Sequence, residues 1–173
     1  DAGRKHIPIH IGIGINTGDC CVGNMGSDQR FDYSALGDDV NLASRLEGQS
    51  KAYGVDIVIG ENTHRQVMDE FATIELDLIQ VKGKTEPVFI HALLGDKTMK
   101  ESETFARIAD ANKDLLIAYR SQKWGEAEKL MRQLTKLMPE LKDLAGLYRD
   151  RITHYRTSPP PPHWDGVYVA TSK

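Results

Sequence analysis

Residues 30–47, which read RFDYSALGDDVNLASRLE, are the most informative segment for predicting the fold. From Asp38 onward its apolar residues recur at helical spacing. These apolar positions are Val40, Leu42, Ala43 and Leu46. Asp38 or Asp39 can cap the first turn, and Gly54 is placed to end the last one. The pattern therefore predicts a helix over residues 38–53.

A strand is predicted upstream of this helix, over residues 7–16, where isoleucine occupies every second position. The alternating residues are Ile7, Ile9, Ile11, Ile13 and Ile15. This spacing puts a β-branched stripe on one face of the strand. Gly12 and Gly14 lie on the other face, where glycine weakens a strand unless a helix, a backbone or a ligand comes close. A second short strand or a bulge is predicted over residues 20–23, followed by a polar turn over residues 24–28.

Downstream of the helix, short strands alternate with one further helix. Strands are predicted over residues 55–59, 74–81 and 88–94, and a short helix over residues 62–71. This order of elements favours an α+β fold with helices over a largely antiparallel or mixed sheet.

The composition changes after residue 95, which divides the chain into three predicted segments. A first domain, 1–95, is rich in Gly and β-branched residues, and a helical segment, 96–157, is rich in Leu, Ala, Lys, Glu and Arg. The helical segment is predicted to contain three amphipathic helices, over residues 104–122, 125–138 and 140–155. The spacing around Trp124 resembles one tetratricopeptide helical hairpin, and a plain helical appendage explains it equally well. A proline-rich tail, 158–173, is predicted to be stiff and to deliver its end to some surface.

Composition and charge exclude several classes of protein. The 173 residues carry 22 Lys and Arg against 25 Asp and Glu, a net charge of -3 without a basic block, which argues against a dedicated nucleic-acid binder. No apolar run is long enough to span a membrane and the first residues lack a signal-peptide pattern, so a soluble piece is expected. Cys20 and Cys21 are adjacent, a spacing that disfavours a disulfide between them and fits a reducing, cytosolic setting.

Two motifs are candidates for chemistry. Residues 12–18, GIGINTG, do not match a dinucleotide fingerprint, because the third glycine would have to replace Thr17. The sharper candidate is Asn41 with Arg45, which stand four positions apart and so project from one helix face. A guanidinium suits bidentate contact with phosphoryl oxygens, and an amide one turn earlier can orient a sugar or a phosphate. The alternative is a solvated surface on which Arg45 pairs with a carboxylate of the same helix.

Three segments together resemble the catalytic domain of class III nucleotidyl cyclases, the adenylate and guanylate cyclase family. They read IHIGIGINTGDCCVGNMGS at residues 9–27, FDYSALGDDVNLASRLEG at residues 31–48 and VKGKTEPVFIH at residues 81–91. Their order and spacing are highly specific, and they resemble the second, C-terminal half of that domain. The resemblance implies a partial ferredoxin-like α+β domain that dimerises head to tail, with each active site built from both subunits.

The resemblance also implies four site residues. Asn41 and Arg45 fall on the family's catalytic, transition-state pair, and Lys82 falls on the lysine that contacts the triphosphate. Ser34 falls on a purine-recognition position where other members have Asp or Thr, so the choice between ATP and GTP stays open. The aspartates that bind Mg²⁺ or Mn²⁺ belong to the first half of the domain, so no residue of this chain is assigned to a metal.

The implied function is that of part of an adenylate cyclase, a lyase that converts ATP to 3′,5′-cyclic AMP and pyrophosphate in intracellular signal transduction. The expected partners are ATP and a second copy of the chain, in a homodimer. The 173-residue chain by itself is expected to be inactive, because the metal-binding half lies outside it.

The helical segment and the tail resemble the C-terminus of bacterial membrane-anchored cyclases that carry a sensor of the CHASE type upstream. This implies a cytoplasmic position, a link to the inner membrane through upstream segments only, and a natural C-terminus at Lys173. Two alternatives stay open from the sequence. One is a non-catalytic regulatory or dimerisation fragment, and the other is a helical protein-interaction module.

Overall fold

The structure, a computed structural model, describes residues 9–27, 30–80 and 86–169. The strands in these ranges are β1 (Ile13–Ile15), β2 (Cys21–Ser27), β3 (Arg30–Leu36), β4 (Ile57–Gly60), β5 (Ala72–Gln80), β6 (Val88–Gly95) and β7 (Tyr168–Val169). The helices are α1 (Asp38–Tyr53), α2 (Glu61–Val67), α3 (Lys97–Lys100), α4 (Glu103–Arg120), α5 (Trp124–Leu137) and α6 (Lys142–Thr157), with a 3₁₀ turn at Pro139–Leu141. Among these described helices, none is long and apolar enough to cross a membrane.

Five strands form one mixed sheet in the order β1-β4-β6-β5-β7. β1 runs parallel to β4 and β7 runs parallel to β5, whereas β4 with β6 and β5 with β6 are antiparallel. β2 and β3 form a separate antiparallel hairpin. The predicted α+β class with a mixed sheet is therefore confirmed.

β1 is shorter than the sequence predicts. Ile9 and Ile11 precede the strand and are 88% and 68% exposed. β1 pairs with β4 only from Ile13 to Ile15, because β4 itself is short and offers no backbone partner further upstream. The first part of the predicted strand, residues 7–8, lies outside the described residues.

The glycine face of β1 packs against α1, as its two glycines predict. A Cβ atom at Gly14 would lie 2.2 Å from the backbone oxygen of Ala43 and 2.2 Å from the backbone nitrogen of Glu47. A Cβ atom at Gly12 would lie 1.9 Å from the Ser50 hydroxyl oxygen. The two backbones are therefore closer together at Gly14 than any side chain there allows.

We expect Gly14→Ala to lower the free energy of unfolding by about 1–3 kcal/mol, because α1 must move away from β1 to admit the methyl group. Urea unfolding of the chain measures this. Gly48→Ala is the matched control on α1, since a Cβ there meets nothing within 4 Å. Alanine favours a helix over glycine by about 1 kcal/mol, so the control should be stabilised. Equal stability of Gly14→Ala and the unsubstituted chain would contradict the close packing.

The predicted polar turn over residues 24–28 is wrong for residues 24–27. Each residue from Cys21 to Ser27 pairs with one residue of Arg30 to Leu36 in the β2–β3 hairpin. The hairpin lies outside the five-stranded sheet, and none of its residues with described burial is buried. Without a buried face, the hairpin needs no apolar alternation, and its polar residues resemble a turn in sequence.

Helix α1 has the bounds that the sequence predicts. Gly54 ends it with φ 65°, and its N–H group donates to the Ser50 carbonyl. The predicted cap is wrong, since Gly37 is the N-cap residue and no side chain caps the helix. Asp38 and Asp39 lie inside the first turn instead, where the positive end of the helix dipole stabilises their carboxylates.

Helices α4, α5 and α6 lie within two residues of their predicted bounds and share one hydrophobic core with the sheet. Leu46 of α1 and Ile90 of β6 belong to the same buried cluster as Leu115, Leu134 and Ile152 of the three helices. The Tyr148 hydroxyl donates to the Leu76 carbonyl of β5 at 2.6 Å. The C-terminal helices are therefore packed directly on the sheet.

A buried ion pair joins α6 to the sheet. Arg151 contacts Asp77 of β5, and their side chains are 7% and 1% exposed. The Tyr53 hydroxyl at the end of α1 donates to Asp77 Oδ2 at 2.7 Å and accepts from Arg151 Nη2 at 3.1 Å. Burial, together with the charge of Asp77, raises the pKa of Tyr53, so its hydroxyl keeps its proton. The network ties α1, β5 and α6 together.

The tail closes over this network and extends the sheet. The Trp164 ring packs edge-on against Tyr119, with ring centroids 5.3 Å apart. The guanidinium carbon of Arg151 lies 3.5 Å from the centre of the Tyr168 ring. Tyr168 and Val169 then pair with the end of β5, opposite Ile79 and Gln80. The described part of the tail therefore lies on the β5 edge, and residues 170–173 lie outside the described residues.

Candidate active site

Helix α1 carries two of the four predicted site residues. Asn41 is exposed and Arg45 is half-buried, one helical turn apart. Leu42 and Leu46 are buried on the core side, which holds α1 against the sheet. Because α1 is fixed by this burial and by its contact with Gly14, the amide and the guanidinium are presented from a rigid support.

The side chains of Asn41 and Arg45 have no partner among the residues that the structure describes. Among the described residues, no ion pair joins the Arg45 guanidinium to Asp39 or Glu47. These two pairings of Arg45 within its own helix are therefore not observed in this part of the chain.

Asn16 anchors the start of α1, although no sequence motif pointed to this residue. Its side-chain amide donates to the Asp39 backbone oxygen at 3.2 Å and to Asp39 Oδ1 at 3.1 Å. The loop that follows β1 is tied down further, since Thr17 Oγ1 lies 2.9 Å from Thr63 Oγ1 and the Asn62 amide donates to the Thr17 carbonyl at 3.2 Å. The signal available in sequence was an asparagine at the end of an isoleucine-rich strand.

Ser34 and Lys82 are placed differently from the helical pair. Ser34 is half-buried on β3, opposite Gly23, and β3 leads directly through Gly37 into α1. Ser34 therefore lies on the hairpin strand that leads into α1. Lys82 lies outside the described residues, so its prediction is not tested.

The acidic and thiol groups near this helix do not form a metal centre. In residues 9–27, 30–80 and 86–169 there is no group of three His, Cys, Asp or Glu side chains that could hold a metal ion. Cys20 and Cys21 are free and exposed, which confirms that they do not pair with each other. The described residues near this helix therefore include a guanidinium and an amide, without a cluster of three such metal-binding side chains.

Together the fold and the site define an α+β domain that carries an amide and a guanidinium one turn apart on one helix. The chain belongs to the adenylate and guanylate cyclase catalytic-domain family, whose model matches residues 2–95. The predicted resemblance to this family is thereby confirmed.

Individual relatives agree with this assignment. The chain is 31% identical over 144 residues to "Adenylate cyclase, terminal-differentiation specific" of Dictyostelium discoideum. The aligned region covers 82% of this chain and 7% of the relative. It is 39% identical over 93 residues to "Adenylate cyclase" of Anabaena cylindrica, covering 51% of this chain and 18% of the relative. The chain thus spans less than a fifth of the length of these relatives. A solved structure of the adenylyl cyclase CyaB from P. aeruginosa is 39% identical, with a TM-score of 0.43, over 48% of this chain and 41% of the other.

Proposed function

We propose that this chain supplies one part of a nucleotidyl cyclase active site that converts ATP to 3′,5′-cyclic AMP and pyrophosphate. The observation that carries the proposal is the pair Asn41 and Arg45 on α1, inside the segment that matches the cyclase family. Neither side chain has a partner among the residues that the structure describes. A guanidinium without a protein carboxylate retains its full capacity to bind phosphoryl oxygens.

In the proposed reaction, the ribose 3′-oxygen attacks the α-phosphorus of ATP and loses its proton. The bond from the α-phosphorus to the bridging oxygen breaks, and pyrophosphate leaves. Arg45 contacts the reacting phosphoryl group and stabilises the charge that develops there. Asn41 holds the ribose so that its 3′-oxygen stays in line with the leaving group.

The remaining site residues have binding roles in this proposal. Lys82 contacts the triphosphate, so Lys82→Ala should mainly raise KM. Ser34 contacts the purine, where a hydroxyl can both donate and accept a hydrogen bond and therefore does not by itself select adenine over guanine. The choice of ATP over GTP rests on the adenylate cyclases among the relatives.

The family works with divalent metal ions, and the described residues hold no group of three His, Cys, Asp or Glu side chains that could bind one. Mg²⁺ or Mn²⁺ ligands are therefore proposed to lie in the other half of the catalytic domain. In that case this chain contributes charge stabilisation and orientation, and the partner half contributes the metal site.

The proposed partner is a second copy of the protein, in a head-to-tail homodimer of ferredoxin-like domains. Large exposed apolar side chains are concentrated in the first part of the described chain, which supports an interface there. They are Ile9, Ile11, Ile13, Ile15, Val22, Tyr33 and Leu36. A cytoplasmic location, as the signalling domain of an inner-membrane protein with a CHASE-like sensor, is proposed on the sequence resemblance alone.

We expect the 173-residue chain alone to form no cyclic AMP from Mg-ATP or Mn-ATP, because Arg45 without metal ligands leaves the triphosphate charge largely uncompensated. Mixing the chain with a polypeptide that carries the other half of the catalytic domain should produce turnover. Mass spectrometry of the nucleotide products measures both reactions. Cyclic AMP from the chain alone would contradict the division of roles, and no turnover from a folded mixture would favour a regulatory or dimerisation fragment.

A further inference from the structure

A cavity lies between the sheet and α4, away from the amide–guanidinium pair. Its volume is about 560 Å³, within the range of roughly 300–1,000 Å³ that is common for small-molecule sites. Residues of α2, β5, β6, α3 and α4 line it, and neither Asn41 nor Arg45 is among them. The cavity is therefore separate from the proposed reaction site.

The walls of this cavity are largely apolar and its charges are unbalanced. Ile74, Leu116 and Ile117 are among the apolar lining residues. Of the lining cations, Arg120 is neutralised by an ion pair with Glu75, the one carboxylate among the lining residues. Lys100 and Lys113 also line the cavity, and neither has a carboxylate partner among the described residues.

Lys100 and Lys113 differ in what surrounds them. The Lys100 ammonium lies 5.4 Å from the centre of the Phe105 ring, a contact that holds a cation in place without cancelling its charge. Lys113 is exposed on α4. The cavity thus combines an apolar wall with two uncompensated cations.

A buried histidine adds an unused polar group to the same wall. His91 is 5% exposed, and its Nδ1 atom has no hydrogen-bond partner among the described residues. Its ring stacks on His64 with centroids 3.8 Å apart, and His64 Nδ1 lies 3.0 Å from Thr73 Oγ1. Burial, reinforced by the charge of His64, lowers the pKa of His91 to about 3, so the ring is neutral near pH 7. A buried polar atom without a partner is uncommon unless a ligand or a water satisfies it.

We propose that this cavity binds a small amphiphilic anion, with the apolar body against Ile74 and Leu116 and the anionic head group at Lys100 and Lys113. Such a ligand matches both features of the cavity, since its body replaces water at the apolar wall and its head group pairs with the lysines. Carboxylates and phosphate monoesters share this chemistry. The site goes beyond the proposed cyclase reaction and does not depend on it.

Calorimetric titration of the full chain with decanoate, kept below its critical micelle concentration, tests the proposal. We expect saturable one-to-one binding, with decanol at least about tenfold weaker because it lacks the charge. Decyl phosphate in place of decanoate identifies the preferred head group. Equal affinity for decanol and decanoate, or no saturable binding of either anion, would overturn the proposal.

Two variants locate the site. The double variant Lys100→Ala/Lys113→Ala should weaken decanoate binding about tenfold and leave decanol binding unchanged. Lys129→Ala, an exposed lysine on α5 that does not line the cavity, is the matched control and should have no effect. Thermal unfolding checks that all variants remain folded. Decanoate affinity unchanged in the folded double variant would exclude this cavity. Because no step measures cyclic AMP, failure here leaves the proposed cyclase function untouched.

Discussion

Replacing Arg45 with alanine, in a catalytic domain that contains this chain, is expected to lower kcat by about 100-fold or more while KM changes little. The guanidinium interacts more strongly with the charge that develops on the α-phosphoryl group than with bound ATP, so its loss falls mainly on the transition state. A 100-fold loss corresponds to roughly 3 kcal/mol of transition-state stabilisation. Steady-state kinetics on a correctly folded protein measures kcat and KM separately.

Two further variants make the Arg45 result interpretable. Arg45→Lys should restore activity only in part, because an ammonium on a flexible stem cannot reproduce the planar fork of a guanidinium. Arg107→Ala removes an exposed arginine of α4 and should leave kcat unchanged. If Arg45→Ala kept its full kcat, the helix face would be an ordinary solvated surface and the site assignment would be wrong.

The largest expected effect on stability comes from breaking the buried ion pair of Arg151 and Asp77. Arg151→Met leaves the Asp77 carboxylate buried without its cation, and loss of one partner of such a pair costs about 3–5 kcal/mol. For a protein of this size the midpoint of thermal unfolding should fall by about 10 °C. Urea and thermal unfolding of the 173-residue chain measure the two quantities.

An exposed ion pair between Arg156 of α6 and Glu128 of α5 provides the control. Arg156 contacts Glu128 at 2.9 Å and is 49% exposed, so Arg156→Ala should change stability by less than about 1 kcal/mol. Arg151→Met combined with Asp77→Leu should recover much of the lost stability, because no charge is then left buried alone. If Arg151→Met were no more harmful than Arg156→Ala, the network would not be holding α6 to the sheet.

The packing of α4–α6 on the sheet bears on the interaction-module alternative. The core and the network of Tyr53, Asp77 and Arg151 continue from the cyclase-matched segment into the helices. The similarity to the Dictyostelium discoideum adenylate cyclase extends over 82% of the chain, more than residues 1–95 can account for. A module that binds partners independently of the sheet is therefore the weaker alternative for residues 96–157.

Prediction was most accurate where a local pattern is enough to specify the structure. Helix α1 was predicted with its correct ends because helical apolar spacing and a glycine in the left-handed region act within a few residues. Prediction failed at residues 24–27, because the β2–β3 hairpin has no buried face that would impose alternation on its sequence. It also overextended β1, since strand length depends on a partner strand elsewhere in the chain.

The α+β class, the family, and the placement of Asn41 and Arg45 on one helix face were predictable from the sequence, because motif order and helical spacing are properties of consecutive residues. Which distant groups meet is visible only in the three-dimensional fold. Arg151 reaches Asp77 across 74 positions, and Tyr168 pairs with Ile79 at the sheet edge. Contacts of this kind depend on how the helices fold back over the sheet, and the residue spacing along the chain does not specify that arrangement.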